Sequence, residues 1–311
     1  STYNSNLRLL DNYVRPTLGD MKLEDLSTRV IEKYYMQMQK TKAVPKVQFG
    51  RVIDDDGESL VSNSTIREIH KILRNCFNQA LKWELMEKNP CSLATVPKAN
   101  SKKREIWTAQ TLFHALEVCK DERLKLALNL TFSCSLRLGE LLGLTWDCVD
   151  IREKSIQAGT AHIRINKEVQ RVDRETLTTL ENKDVIKVFP STTKKSKTVL
   201  VLKTPKTETS NRKIFLPPTV AYMLRDWKEK QDEEKSFLGN EYYDYNLVFA
   251  TPLGLPVEGS VIRSALKKLI EENNLPPVVF HSFRQASITY KLKLTGDIKA
   301  VQGDSGHAGN A

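Results

Sequence analysis

From Ser135 to Leu144 the chain reads Ser135-Leu136-Arg137-Leu138-Gly139-Glu140-Leu141-Leu142-Gly143-Leu144, one arginine among leucines at 136, 138, 141, 142 and 144. An unpaired guanidinium in so apolar a setting would be costly, so Arg137 needs an anion. Glu140, three residues on, is one candidate; a ligand is the other. Before this stretch the apolar residues recur at helical spacing, and after it the period changes. Residues 160–216 carry the β-rich runs His162–Ile165, Val185–Phe189, Val199–Leu202 and Lys213–Leu216, which predict a small antiparallel sheet. Helical patterns resume at Thr219–Lys230, Val261–Glu272 and His281–Leu292.

Upstream, Leu7, Leu10, Tyr13 and Val14 predict a first helix ended by Arg15-Pro16-Thr17-Leu18-Gly19-Asp20. Val30, Ile31, Tyr34, Tyr35 and Met38 make a second with Ser27 as its cap, and Ile66, Ile69, Ile72, Leu73, Phe77, Ala80, Leu81 and Trp83 a third capped by Asn63 or Ser64. Between them, Thr41–Ser62 reads as a hairpin or mobile loop around Asp54-Asp55-Asp56-Gly57. The run Val96–Arg104 reads as a solvated linker and divides the chain into a helical domain, 1–102, and a second domain, 103–311, opening on a helix capped by Thr108. The fold class expected is mainly α with a small antiparallel β-sheet.

With 48 Lys and Arg against 38 Asp and Glu, the 311-residue chain carries a net charge of +10, which favours an anionic partner, nucleic acid before membrane surface. Forty per cent apolar residues are enough for hydrophobic cores and argue against disorder. No run is long and apolar enough for a membrane span, and the first thirty residues are not signal-like. Five scattered cysteines make neither CxxC nor a zinc spacing, as in a reduced cytoplasmic protein. An RNA- or membrane-binding reading finds no aromatic RNA-binding signature and no basic amphipathic helix.

Three further clusters stand out. His281-Ser282-Phe283-Arg284 opens a helix, where phosphate binds well. Gly306-His307 places a second histidine downstream. Thr204-Pro205-Lys206-Thr207 puts a lysine in a turn between two strands, in a region where Lys194, Lys195, Lys197 and Arg212 read as contacts to a DNA backbone.

These pieces, in this order, resemble the tyrosine recombinases, specifically integrases of phages and conjugative transposons, over most of the chain. Arg137, Lys206, His281, Arg284 and His307 match the family's catalytic positions, with Glu140 in support, and Leu18-Gly19 and Leu23-Glu24-Asp25-Leu26 are similar to its core-binding domain. The resemblance implies that Arg137 and Arg284 fork onto one phosphodiester, that His281 assists proton transfer from the nucleophile, that Lys206 protonates the departing 5′-oxygen and that His307 donates to the phosphate. A 3′-phosphotyrosyl link would conserve the bond energy, so no cofactor and no metal is implied. Expected partners are double-stranded DNA at the element's ends and further protomers in a tetrameric synapse, in a bacterial cytoplasm at the nucleoid.

The sequence departs from the family in two places. The family's nucleophilic tyrosine follows the GH motif, and no tyrosine follows His307 here. Tyr290 lies in a packing segment, and Tyr242, Tyr243 and Tyr245 form a surface-like cluster in an acidic loop. The nucleophile is therefore expected beyond Ala311, in a C-terminally truncated catalytic domain that binds DNA without cleaving it, and a further N-terminal module is expected before Ser1. Residues 155–200, an insertion, are expected to form one extended β-hairpin. The alternative is an inactive DNA-binding accessory or regulatory protein of the same fold.

Overall fold

The computed structural model describes residues 2–48, 51–53, 59–99, 105–191, 196–205 and 210–305. The chain divides into two compact units, Ser1–Lys103 and Arg104–Ala311.

In the first unit, α1 (Thr2–Leu9) passes through a π-helical turn, Leu10–Val14, into α2 (Arg15–Leu18). The helical run ends within the expected stretch, at Leu18 with Gly19 as its cap, and Pro16 does not itself interrupt it. The proline sits in the first turn of α2, where its missing N–H costs nothing, and the wider π turn absorbs the change of register. Helix α3 (Thr28–Met38) starts where Ser27 Oγ accepts the Val30 amide. A short hairpin follows, β1 (Lys46–Gln48) with β2 (Arg51–Ile53), in register Val47 to Val52; the Asp54–Gly57 turn lies outside the described residues. Helix α4 (Asn63–Lys82) is capped one residue earlier than expected, by Ser62, whose Oγ accepts the Thr65 amide at 3.2 Å. Ile31, Tyr34, Tyr35 and Met38 from α3 share one buried core with Ile66, Ile69, Leu73 and Phe77 from α4, the stripes their spacing specifies.

The second unit begins with α5 (Ala109–Val118), capped by Thr108, and α6 (Glu122–Cys134), capped by Asp121. Leu124, Leu126, Ala127, Leu128, Leu130, Thr131 and Cys134 bury α6 on most of its circumference, which makes it the central helix. Then come α7 (Leu138–Leu142), β3 (Val149–Asp150), α8 (Glu153–Gln157), β4 (His162–Ile165), β5 (Glu168–Asp173), α9 (Arg174–Thr179), β6 (Val185–Val188), β7 (Thr198–Lys203) and β8 (Arg212–Phe215). The chain closes with α10 (Pro218–Leu238), α11 (Gly259–Glu272), α12 (Phe280–Thr295) and α13 (Ile298–Ser305), of which α10, α11 and α12 pack on α6.

The fold class is as expected, but the strands form two antiparallel three-stranded sheets, ordered β3-β4-β8 and β5-β7-β6. Residues 155–200 are correspondingly not one hairpin. Asp173 turns the chain out of β5 by accepting the amides of Glu175 and Thr176, which starts α9 and delays the return to β6 and β7.

Two glycines bring the second sheet onto α7. A Cβ on Gly143 would lie 2.6 Å from Glu168 Cα and 2.8 Å from the Val169 nitrogen, and one on Gly139 would lie 3.1 Å from the Val169 carbonyl oxygen. Only hydrogen at these positions lets β5 run against the helix. Gly143→Ala is expected to destabilise the second unit by about 1–3 kcal/mol, the usual cost of forcing a methyl against backbone. Denaturant unfolding measures it, and an unchanged midpoint would refute the contact.

Candidate active site

Arg137 is the residue before the first turn of α7, with extended backbone. Its amide donates to Glu140 Oε2 at 3.0 Å, the glutamate half of a capping box, and its Nη1 donates to Glu140 Oε1 at 2.6 Å. The arginine is therefore not immersed among its leucine neighbours. Its side chain is 38% exposed, while that of Glu140 is 1% exposed.

Two more arginines reach the same carboxylate from distant elements. Arg212, on β8, donates from Nη2 to Oε2 at 2.9 Å and from Nη1 to Oε1 at 3.3 Å. Arg284, one turn into α12, has Nη1 3.8 Å from Glu140 Oε2 and donates the same nitrogen to the carbonyl of Ser135. Burial pushes the Glu140 carboxyl up, but hydrogen bonds and charge from Arg212, with the amide and guanidinium of Arg137, outweigh it and hold the group below the usual carboxylate range. Burial, reinforced by Arg137 and Arg212, lowers Arg284 to about 10, which leaves it a cation at neutral pH.

The two ends of this cluster are braced. Trp107, buried, stands edge-on to Phe283 at 5.1 Å and donates Nε1 to the Pro276 carbonyl at 2.8 Å, which holds the start of α12. Ser135 ends α6 in the left-handed region, φ 51°, and its hydroxyl meets that of Ser287 at 2.7 Å. The left-handed turn is what aims its carbonyl at Arg284. Glycine is the usual signal for such a turn, so nothing in the sequence marked Ser135.

Of the residues expected in the site, Arg137, Glu140 and Arg284 come together. His281 opens α12 on its exposed side, three residues before Arg284. Lys206, His307, Lys194 and Lys195 lie outside the described residues. Lys197 is exposed but precedes β7 at the end away from α7, roughly 20 Å along the strand from Lys203 at about 3.3 Å per residue. The reading of Arg212 as a DNA-backbone contact is corrected: its side chain is 6% exposed, because alternation on β8 turns Arg212 and Ile214 inward and leaves Lys213 and Phe215 outside. Tyr290 is exposed, with its ring 5.7 Å from that of Phe132. Of the tyrosine cluster, Tyr243 is exposed, whereas Tyr245 packs edge-on against Phe189 at 5.1 Å beneath the ammonium of Lys187.

No protein-family model matches the chain. It is 27% identical over 307 residues to a XerC-like tyrosine recombinase of Caldanaerobacter subterraneus, which covers 96% of this chain and 68% of the relative. It is 22% identical over 252 residues to the ICEBs1 integrase of Bacillus subtilis, covering 80% of this chain and 60% of that one. Among solved structures, the Tn1549 transposon integrase in complex with a circular intermediate DNA superposes with a TM-score of 0.72 at 16% identity, over 99% of this chain and 86% of that one. A lambda integrase, solved as a tetramer bound to a Holliday junction, superposes with a TM-score of 0.58 at 16% identity, over all of this chain and 69% of that one. No helix among the described residues is long and apolar enough to cross a membrane.

Proposed function

We propose that this chain, a homologue of the tyrosine recombinases by sequence and fold, is the core-binding and catalytic part of an integrase that cleaves and rejoins DNA through a 3′-phosphotyrosyl intermediate. The observation that carries this reading is the meeting of Arg137, Arg212 and Arg284 on the single carboxylate of Glu140, which gathers three guanidinium groups at one place with Arg137 open to solvent. A phosphodiester carries one negative charge and gains a second as it becomes pentacoordinate. Such a site therefore suits the transition state better than the ground state.

Arg137, the exposed member, meets a non-bridging oxygen first. Arg284 stands behind it at 2% exposure, 3.8 Å from the same carboxylate, and is the second guanidinium directed at the phosphate. His281 takes the proton of the attacking hydroxyl, the tyrosyl oxygen bonds to phosphorus, and the 5′-oxygen leaves with a proton from Lys206. His307 donates to the same phosphate. The attacking tyrosine is assigned to a segment outside these residues, as the resemblance implies, with Tyr290 set against Phe132 and Tyr245 against Phe189. The helical unit 1–102 grips the duplex beside the cleavage point, and further protomers complete a synapse, a reading supported by the solved relatives on circular intermediate and junction DNA. The protein acts in the cytoplasm on nucleoid DNA.

Covalent trapping tests it. The full-length gene product and the 311-residue chain are each incubated with a nicked duplex from the junction of the surrounding element with host DNA, then resolved on a denaturing gel. An adduct with the full-length product alone is expected. An adduct with the 311-residue chain would point to Tyr290 or to a tyrosine supplied in trans, and binding without any adduct would leave a regulatory DNA-binding protein.

A further inference from the structure

Arg212 donates to no substrate oxygen in the chemistry above, yet both of its terminal nitrogens are engaged. Its two terminal nitrogens span both oxygens of Glu140, and Nη1 also donates to the Ser210 carbonyl at 3.0 Å. Strand β8 holds it by pairing antiparallel with β4, Arg212 against Ile165 and Ile214 against Ile163, so the arginine projects from an interior sheet face. A carboxylate offers about four acceptor sites. Arg212 fills two of those of Glu140, and the amide and guanidinium of Arg137 fill the others. The carboxylate is thus pinned from β8 on one side and from the start of α7 on the other.

We propose that Arg212 is a positioning residue: its planar fork fixes Glu140, and Glu140 in turn sets the guanidinium of Arg137, and beside it that of Arg284, in the arrangement that receives a phosphate. This rests on the phosphoryl-transfer reading. Arg212 commits both of its terminal nitrogens to Glu140, so its fork acts on the carboxylate and not on the substrate. A lysine there would keep the charge but could not bridge both oxygens. Without the fork, Glu140 keeps only its bonds to the amide and guanidinium of Arg137, and misplacement of about 1 Å at a reacting centre costs about a hundredfold in rate.

The test uses the full-length gene product with Arg212→Met, Arg212→Lys, Glu140→Gln and the double variant Arg212→Met with Glu140→Gln. Thermal unfolding, affinity for the nicked duplex and the single-turnover rate of adduct formation by bound protein are measured for each. Arg212→Met is expected to slow the bound complex about a hundredfold with affinity within about threefold of the parent. Arg212→Lys is expected to fall between the two, and the double variant to be no slower than the slower single. A merely structural role would lower the melting temperature and leave the rate per bound molecule unchanged, which overturns the inference. A multiplicative loss in the double variant also overturns it, because Arg212 would then act on the substrate independently of Glu140. If Arg212→Met does not fold, Arg212→Lys carries the same comparison. A parent that binds but forms no adduct defeats the phosphoryl-transfer reading itself, whereas a parent with an adduct and an unaffected Arg212→Met defeats only the positioning role.

Discussion

Arg137→Ala is expected to cut the rate of adduct formation by the full-length protein by roughly 10²–10³-fold, the usual loss when one preorganised donor to a developing oxyanion is removed. Three features of the site make the effect large and specific. Arg137 is the one arginine of the cluster open to solvent, at 38% exposure, so an incoming phosphate meets it first. Its loss leaves Glu140 still forked by Arg212, so no buried charge is orphaned and the fold is expected to persist. One phosphate contact is also a small part of the whole DNA interface, so duplex affinity is expected to fall by less than about tenfold. A single-turnover assay on the nicked duplex, with a binding titration beside it, separates the two quantities. Parental cleavage by Arg137→Ala would remove the residue from the active site.

Glu140→Ala has its largest effect on stability instead, with an expected loss of about 3–5 kcal/mol, typical of breaking a buried ion pair from one side. Three guanidinium groups would then face one another, two of them almost wholly buried, with the carboxylate between them gone. The same group leaves an acid signature. Its carboxyl is held below the ordinary 4.5 in the folded chain, although burial alone would raise it. A folded-state value below the unfolded one stabilises the protein above the ordinary carboxylate range and ceases to do so as pH falls through the lowered value. Melting temperatures below pH 4.5 are therefore expected to fall more steeply for the parent than for Glu140→Gln. Parallel curves would show that Glu140 is not held ionised.

Much of the architecture was legible in local pattern. Ser27 and Thr108 cap the helices their positions suggested, since a cap needs only a hydroxyl ahead of an apolar stripe. The stripes of α3 and α4 meet in one core. Legibility failed where two local signals competed. The stretch Arg15–Asp20 does end the first helical run, but at Gly19 and not at Pro16, which is harmless in a first turn, and a π turn is invisible to a 3.6-residue count. At the start of α4 three consecutive polar residues could each cap, and only the backbone angles select Ser62. Residues 155–200 hid α9 because a six-residue helix between strands has too few turns to show a period.

The candidate site divides the same way. Arg137 and Glu140 were readable as a pair because three residues at a helix start are always neighbours, whatever surrounds them. Their partners were not. Arg212 and Arg284 lie 72 and 144 residues beyond Glu140 in the chain, and no local rule ties them to it. Strand alternation says that Arg212 and Lys213 face opposite ways, but which of them faces inward follows only from the register of β8 on β4 and the packing beneath it. By itself the sequence determined the longer helices, the capping pair and the identity of the charged groups, because these depend on neighbours along the chain. Only the tertiary structure decided which arginine is buried and which is open, because burial is set by what the rest of the fold lays over each side chain.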